Sequence, residues 1–242
     1  MSEDLELAAK VHYSFLPEDY EDKRIIISST LRPLYPLGGD YCSILALDEN
    51  RVLVCTCDAV GHGVSAALFA ARINTFVQTH ACIDTLPCDL VAGLNSHLCK
   101  RLGETGIYTS FYALLFDFED GTLSLAGAAH PPVLQVCHGS KNCQQWPSRA
   151  TYLGIMDPMP LECGVERIPL SSGQRFLLYS DGLIEAEGAG HELFGVERLV
   201  LTLTKYKNLK GQELNSAVLD RAEAFTVNGF NDDVLLISVA IV

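Results

Sequence analysis

The sequence predicts an α+β fold in which two antiparallel sheets are flanked by helices, and three observations predict it. Apolar runs of strand length recur in pairs joined by short acidic or glycine-bearing turns, two pairs of amphipathic stretches with helical period separate them, and strand and helix never alternate singly as in a βαβ chain. With 242 residues, 48% hydrophobic and 19% charged, the chain can bury a large core, and no Pro/Gly/Ser-rich linker or repeat divides it. Residues 1–21 are expected to be a helical segment of linker or regulatory character, and 22–242 one domain.

Taken in order, Leu5, Leu7, Ala8, Val11 and Phe15 form an imperfect apolar stripe that stops at Leu16-Pro17, a helix for a core edge or a partner. Ile25-Ile26-Ile27 mark a strand over 24–31. Residues 41–47 and 51–57, joined by Asp48-Glu49-Asn50, read as a hairpin with Asp40 before its first strand and Asp58 after its second. Antiparallel pairing therefore brings these two carboxylates to one end of the sheet. Residues 64–80, with Ala66, Ala67, Phe69, Ala70, Ile73 and Val77 on one face, and 87–101 are helices expected on a single sheet. Strands 109–117 and 122–128 turn at Glu119-Asp120-Gly121, and shorter strands follow at 133–137 and 144–146. Strands 164–169 and 175–180 flank Ser171-Ser172-Gly173, the second delivering Asp181-Gly182. Helices at 193–206 and 213–225 precede a last strand, 234–241.

A formal charge of −13 excludes a basic nucleic-acid surface and an anionic membrane surface. No apolar run approaches the roughly 20 residues of a membrane span, and the start Met1-Ser2-Glu3-Asp4 is acidic, so a cytoplasmic protein is expected. Nine cysteines without paired spacing read as reduced, mostly buried thiols, and Cys55 and Cys57, two apart on a strand, as core residues rather than a metal pair.

Chemistry is expected at four places where an aspartate meets a strand end: Gly38-Gly39-Asp40-Tyr41, Cys57-Asp58-Ala59-Val60-Gly61-His62-Gly63, Tyr179-Ser180-Asp181-Gly182, and Asn231-Asp232-Asp233-Val234. Any one Asp-Gly is an ordinary turn; four in similar settings are not. Carboxylates without accompanying histidines make a hard, all-oxygen site that suits Mg²⁺ or Mn²⁺. Two such ions would lower the pKa of a shared water, clamp a phosphoryl group for in-line hydrolysis, and offset the repulsion of phosphate by an acidic surface.

These segments, with Ala128-Ala129-His130-Pro131-Pro132, Glu185-Ala186 and Leu193-Phe194-Gly195-Val196-Glu197-Arg198-Leu199 in the same order, closely resemble the SpoIIE/RsbU-like branch of the PPM-type metal-dependent serine/threonine phosphatases, over roughly residues 5 to 242. The resemblance implies an α-β-β-α sandwich with a two-metal site of Mn²⁺ or Mg²⁺. It implies Asp58 bridging the metals, a backbone carbonyl from Ala59, Asp181 and Asp232 completing one metal, Asp40 holding the other partly through water, and Asp233 at the second acidic position of the last motif. Its implied substrate is phosphoserine or phosphothreonine on a partner, often a STAS-type anti-anti-sigma regulator, with an upstream sensor or activator acting through the N-terminal helix. A homodimer is compatible with the sequence. Departures from the pattern are Ala59-Val60 for the usual Val-Ser, Ala129 for a glycine, and Val234-Leu235 where a hydroxyl residue is usual at the second position.

His62 is read mainly as part of a Gly-His-Gly turn, with a catalytic bond to phosphate or water as the rival; His130 is read as a loop-fixing hydrogen-bonder, and Phe194-Gly195 as a packed helix start. Two rival functions are a phosphatase-fold module, catalytically weak or inactive, that binds a partner, and an aspartyl-nucleophile phosphatase. The second wants two aspartates one residue apart, which neither Asp58 nor Asp181 has.

Overall fold

The computed structural model describes residues 3–137, 142–160 and 167–242. In chain order the elements are α1 (Glu3–Tyr13), β1 (Tyr20–Glu21), β2 (Ile25–Arg32), β3 (Asp40–Ala46), β4 (Arg51–Ala59), α2 (Val64–His80), α3 (Pro87–Leu102), β5 (Thr109–Asp117) and β6 (Thr122–Ala128). There follow β7 (Val133–Cys137), β8 (Cys143–Trp146), β9 (Arg167–Pro169), β10 (Gln174–Tyr179), the one-turn α4 (Asp181–Ile184), α5 (Gly195–Tyr206), α6 (Gly211–Glu223) and β11 (Val234–Ile241). The α+β class is as expected, with two antiparallel sheets and a helix pair on each.

The chain divides into two compact units. The first comprises Met1–Pro17, Tyr35–His130 and Pro147–Leu170. Its sheet has the order β3-β4-β5-β6-β9. Alternate residues Leu53, Cys55, Cys57 on β4 and Phe111, Ala113, Leu115 on β5 share a core with Phe69, Ile73, Val77 of α2 and Leu90, Leu94, Leu98 of α3. Period two on the strands meets period three to four on the helices, and each fully buried aliphatic or aromatic side chain contributes about 1.5–3 kcal/mol. The first helix sits over Leu37 and Ala67 through Ala9, with Leu5 and Tyr13 alongside.

The second unit comprises Glu18–Leu34, Pro131–Trp146 and Ser171–Val242, with sheet order β1-β2-β11-β10-β7-β8. Leu134, Val136, Leu177, Tyr179 and Leu236 pack on Leu199 and Leu203 of α5 and Leu214, Val218 and Ala222 of α6. Phe194, 1% exposed, fills the core just before α5, whose first residue Gly195 has φ 72, so the expected packed helix start is present.

The sequence reading needs correction in three places. The strands run through Asp40 and Asp58 rather than stopping short of them. The strands either side of Ser171-Ser172-Gly173 do not pair: β9 joins β6, while β10 lies between β11 and β7. Each flank is already engaged, with the Leu170 N–H on Gly121 O and the Gly173 N–H on Ile241 O, and residues 164–166 lie outside the described residues. Asp181, just past β10, opens the short helix α4. Seven described cysteines are free thiols, Cys55 and Cys57 among them and both buried in the core, whereas Cys88 is disulfide-bonded. Spacing cannot reveal a bridge, because pairing depends on which Cα atoms the fold brings together. Among the described residues no helix is long and apolar enough to cross a membrane.

Candidate active site

In the first unit Asp40 and Asp58 are direct partners across the β3–β4 ladder. Asp40 is buried and Asp58 half-buried. Like charges facing each other across a ladder destabilise it, and burial sharpens the cost. The backbone there is nonetheless tightly held: the Asp58 N–H donates to Ser110 Oγ (3.3 Å), and its carbonyl accepts the Thr109 hydroxyl (2.8 Å). The Ala59 N–H donates to Gly39 O (3.3 Å), and a Cβ on Gly39 would run into Ala59 O. Tyr41 Oη donates to Asn74 Oδ1 (2.9 Å), tying the strand beside Asp40 to α2.

The loop after Asp58 is shaped by Gly61 (φ 92) and Gly63 (φ 76), backbone that residues with a Cβ rarely adopt. It is anchored by the Val60 N–H on Tyr108 O (3.0 Å) and the Gly63 N–H on Leu37 O (3.1 Å). The exposed His62 ring stacks on Tyr35, with centroids 5.1 Å apart. His130 is buried; its backbone N–H donates to Ser148 Oγ (3.0 Å), and the Ser148 hydroxyl donates to its backbone carbonyl (2.7 Å), so the loop is fixed through the main chain of residue 130.

In the second unit Asp181 follows β10 and Asp232-Asp233 precede its antiparallel partner β11. Ser180 extends the ladder, donating its N–H to Leu235 O (3.0 Å) and accepting the Leu235 N–H on Oγ (2.8 Å). A Cβ on Gly182 would strike Asp233 O and stand 3.2 Å from Asp232 Cβ, so only glycine lets the two acidic segments approach. The environments of the paired aspartates differ here. Asp233 is buried and its Oδ1 accepts the Leu34 N–H (2.6 Å), whereas Asp232 is exposed and its Oδ1 accepts the Asp233 N–H (2.7 Å). The Asp181 carboxyl is raised by burial, then by the carboxylates of Glu185 and Asp232. Glu185, Gly39 and Gly182 stand in the motifs that the sequence shows but carry no role there; for Glu185 the available signal is its i, i+4 spacing from Asp181.

Among the described residues no three His, Cys, Asp or Glu side chains are gathered as a ready-made metal cage. The donor chemistry nevertheless fits a hard divalent cation within each unit: two opposed carboxylates beside a carbonyl pressed against a bare glycine in one, and mutually repelling carboxylates beside a second bare glycine in the other.

Helix-covered antiparallel sheets carrying aspartates at strand ends define the PP2C-type α+β fold. The SiaA-PP2C domain of Pseudomonas aeruginosa shares that fold with a TM-score of 0.79 at 19% identity, covering 99% of this chain and 96% of that one. RsbX in complex with magnesium shares it with a TM-score of 0.69 at 14% identity, covering 93% and 98%. The family described as Stage II sporulation protein E (SpoIIE) matches residues 48–242, and the chain belongs to this family. "Phosphoserine phosphatase RsbP" of Bacillus subtilis (strain 168) is 26% identical over 186 residues, which are 75% of this chain and 45% of RsbP. The chain thus spans less than half the length of that relative.

Proposed function

We propose that this chain is a metal-dependent phosphoprotein phosphatase that hydrolyses phosphoserine or phosphothreonine on a signalling partner of the STAS type. The observation that carries the reading is the pair of acidic segments built alike, each with an aspartate beside a glycine that admits no side chain against a carbonyl of the facing segment. Membership of the SpoIIE family and the name of RsbP support the reaction class, and the magnesium of RsbX supports the choice of Mg²⁺ or Mn²⁺. Divalent cations, when bound, supply Lewis acidity toward phosphoryl oxygens and water.

This chain's own residues have separable roles in the proposal. Asp58 and Asp40, with Ala59 O, are ligands in the first unit, and Asp181 and Asp232 are ligands in the second. Asp233 has its carboxylate committed to the Leu34 N–H and acts by positioning Asp232. Ser110 and Thr109 hold the Asp58 backbone still. The N-terminal helix is the element through which an activator would act.

The test is phosphate release from phosphopeptides, aryl phosphates and phosphorylated STAS-type proteins in millimolar Mn²⁺ or Mg²⁺. Activity that needs the cation and falls on the order of a hundredfold in Asp181→Asn is expected. No release from any of these substrates, or release indifferent to Asp181→Asn, overturns the reading.

A further inference from the structure

In a chain whose carboxylates outnumber its lysines and arginines 30 to 17, the groove between α2 and α3 collects the opposite charge. A cavity of about 410 Å³ there is lined by Phe76 and His80 from α2 and by Gly93, Ser96, His97, Lys100 and Arg101 from α3, with no carboxylate among them. The α3 residues recur at three- and four-residue spacing and so form one stripe of that helix. Arg72, one turn before Phe76, adds a further cation by donating Nε–H to His97 Nε2 (3.2 Å).

The parts of the groove are arranged rather than scattered. The His80 ring lies flat on Phe76, with centroids 4.0 Å apart and planes 10° from parallel, and its Nδ1 bonds Phe76 O (2.9 Å). That contact makes Nδ1 the donor and Nε2 the acceptor of the neutral ring. The His97 ring is tilted against Phe76, with centroids 5.2 Å apart. Its Nε2 accepts from Arg72, leaving Nδ1–H as a donor. Burial first, then the nearby Arg72, Arg101 and His80, lower the His97 pKa. Asp157 binds the Ser96 hydroxyl (2.9 Å) but is not part of the lining. Lys100 and Arg101 are exposed, and no ion pair to a described carboxylate engages either.

We propose that the α2–α3 groove is a binding site for a phosphate-bearing anion, held by Lys100, Arg101 and the His97 ring N–H, with the His80 ring beside them. The shared chemistry is a dianionic phosphate, which offers several acceptors to clustered cationic donors. It can arrive as inorganic phosphate or on a nucleoside monophosphate, whose base would find a flat face at the His80–Phe76 stack. The site depends on no residue placed in the catalytic machinery.

The experiment follows the histidine ring resonances of the full chain, labelled at histidine and kept in chelator so that bound cations do not contribute. Inorganic phosphate and AMP are titrated separately against a sodium chloride control of equal ionic strength. Saturable shifts of His80 and His97 with phosphate or AMP, absent with chloride, are expected, together with about tenfold weaker binding in Lys100→Ala/Arg101→Ala. Equal affinity for the two probes identifies free phosphate as the ligand, and tighter AMP binding that falls in Phe76→Leu identifies the nucleotide. Shifts no larger than those with chloride, or a double variant that binds as the parent does, overturn the proposal. Both substitutions on α3 are at exposed positions, so the fold is kept, which unchanged far-ultraviolet dichroism would verify.

Discussion

The two units solve the same problem, holding repelling carboxylates close together, by routes of different sequence range. In the first, Asp40 and Asp58 sit on a hairpin whose strands are joined by a four-residue turn, so pairing register alone sets them opposite each other. In the second, Asp181 and Asp232 come from segments some fifty positions apart, and β10–β11 pairing, Ser180 and Gly182 bring them together. The shared device is a glycine flattened against a carbonyl, Gly39 on Ala59 and Gly182 on Asp233. Close approach of acidic segments is therefore set by backbone contact, and the side chains follow.

The comparison can be broken first at the ligands. Loss of Asp58, the proposed bridging residue, is expected to lower phosphatase activity on the order of a hundredfold and more than loss of Asp40 does. Equal losses in Asp58→Ala and Asp40→Ala would remove the asymmetry between them.

Next in size are the glycines. Gly39→Ala and Gly182→Ala are each expected to cost about 1–3 kcal/mol of stability by overpacking, with activity lost alongside. Gly103→Ala, where an added Cβ meets nothing, serves as the control. Unchanged urea midpoints in the first two would refute the close-approach account.

A smaller effect is a pH dependence at one edge of the first unit. In the first, burial alone would raise the Asp117 carboxyl, but the Arg51 hydrogen bond (2.8 Å) and the Asp120 and Glu119 N–H groups hold it below the ordinary aspartate value. A depressed folded pKa means that this contribution is complete above the unfolded value and is lost as pH falls through the folded one. In the second, buried Arg175 donates to the carbonyls of Gln174 (2.9 Å), Ile241 (3.2 Å) and Leu209 (3.3 Å), which do not titrate. Hydrogen exchange measured as pH is lowered should show amide protection falling at the β4–β5 end near Asp117, and Asp117→Asn should remove that fall.

The smallest expected effect concerns Ala129 (φ 49) and His191 (φ 63), the two non-glycine residues at positive φ among the described residues. Left-handed backbone costs alanine about 1–2 kcal/mol, and glycine's greater chain entropy returns part of that. Ala129→Gly should therefore raise the melting temperature slightly, and His191→Gly less, since histidine tolerates this region better than most and pairs there with Glu187. A lowered melting temperature in Ala129→Gly would contradict the strain.

The sequence by itself determined the α+β class, the helix at 64–80, and the strands at 109–117, 122–128, 133–137 and 234–241, because these depend on local period and turn chemistry. It also placed Asp40 against Asp58, since a short hairpin converts sequence distance directly into register. Tertiary structure alone decided the separation of β9 from β10, the bridge at Cys88, and the division between exposed Asp232 and committed Asp233. It alone also decided why Gly39 and Gly182 must be glycine and where the basic groove between α2 and α3 lies. Each of these depends on which backbone atoms meet after the chain has folded back over long sequence separations, and a linear pattern carries no record of those meetings.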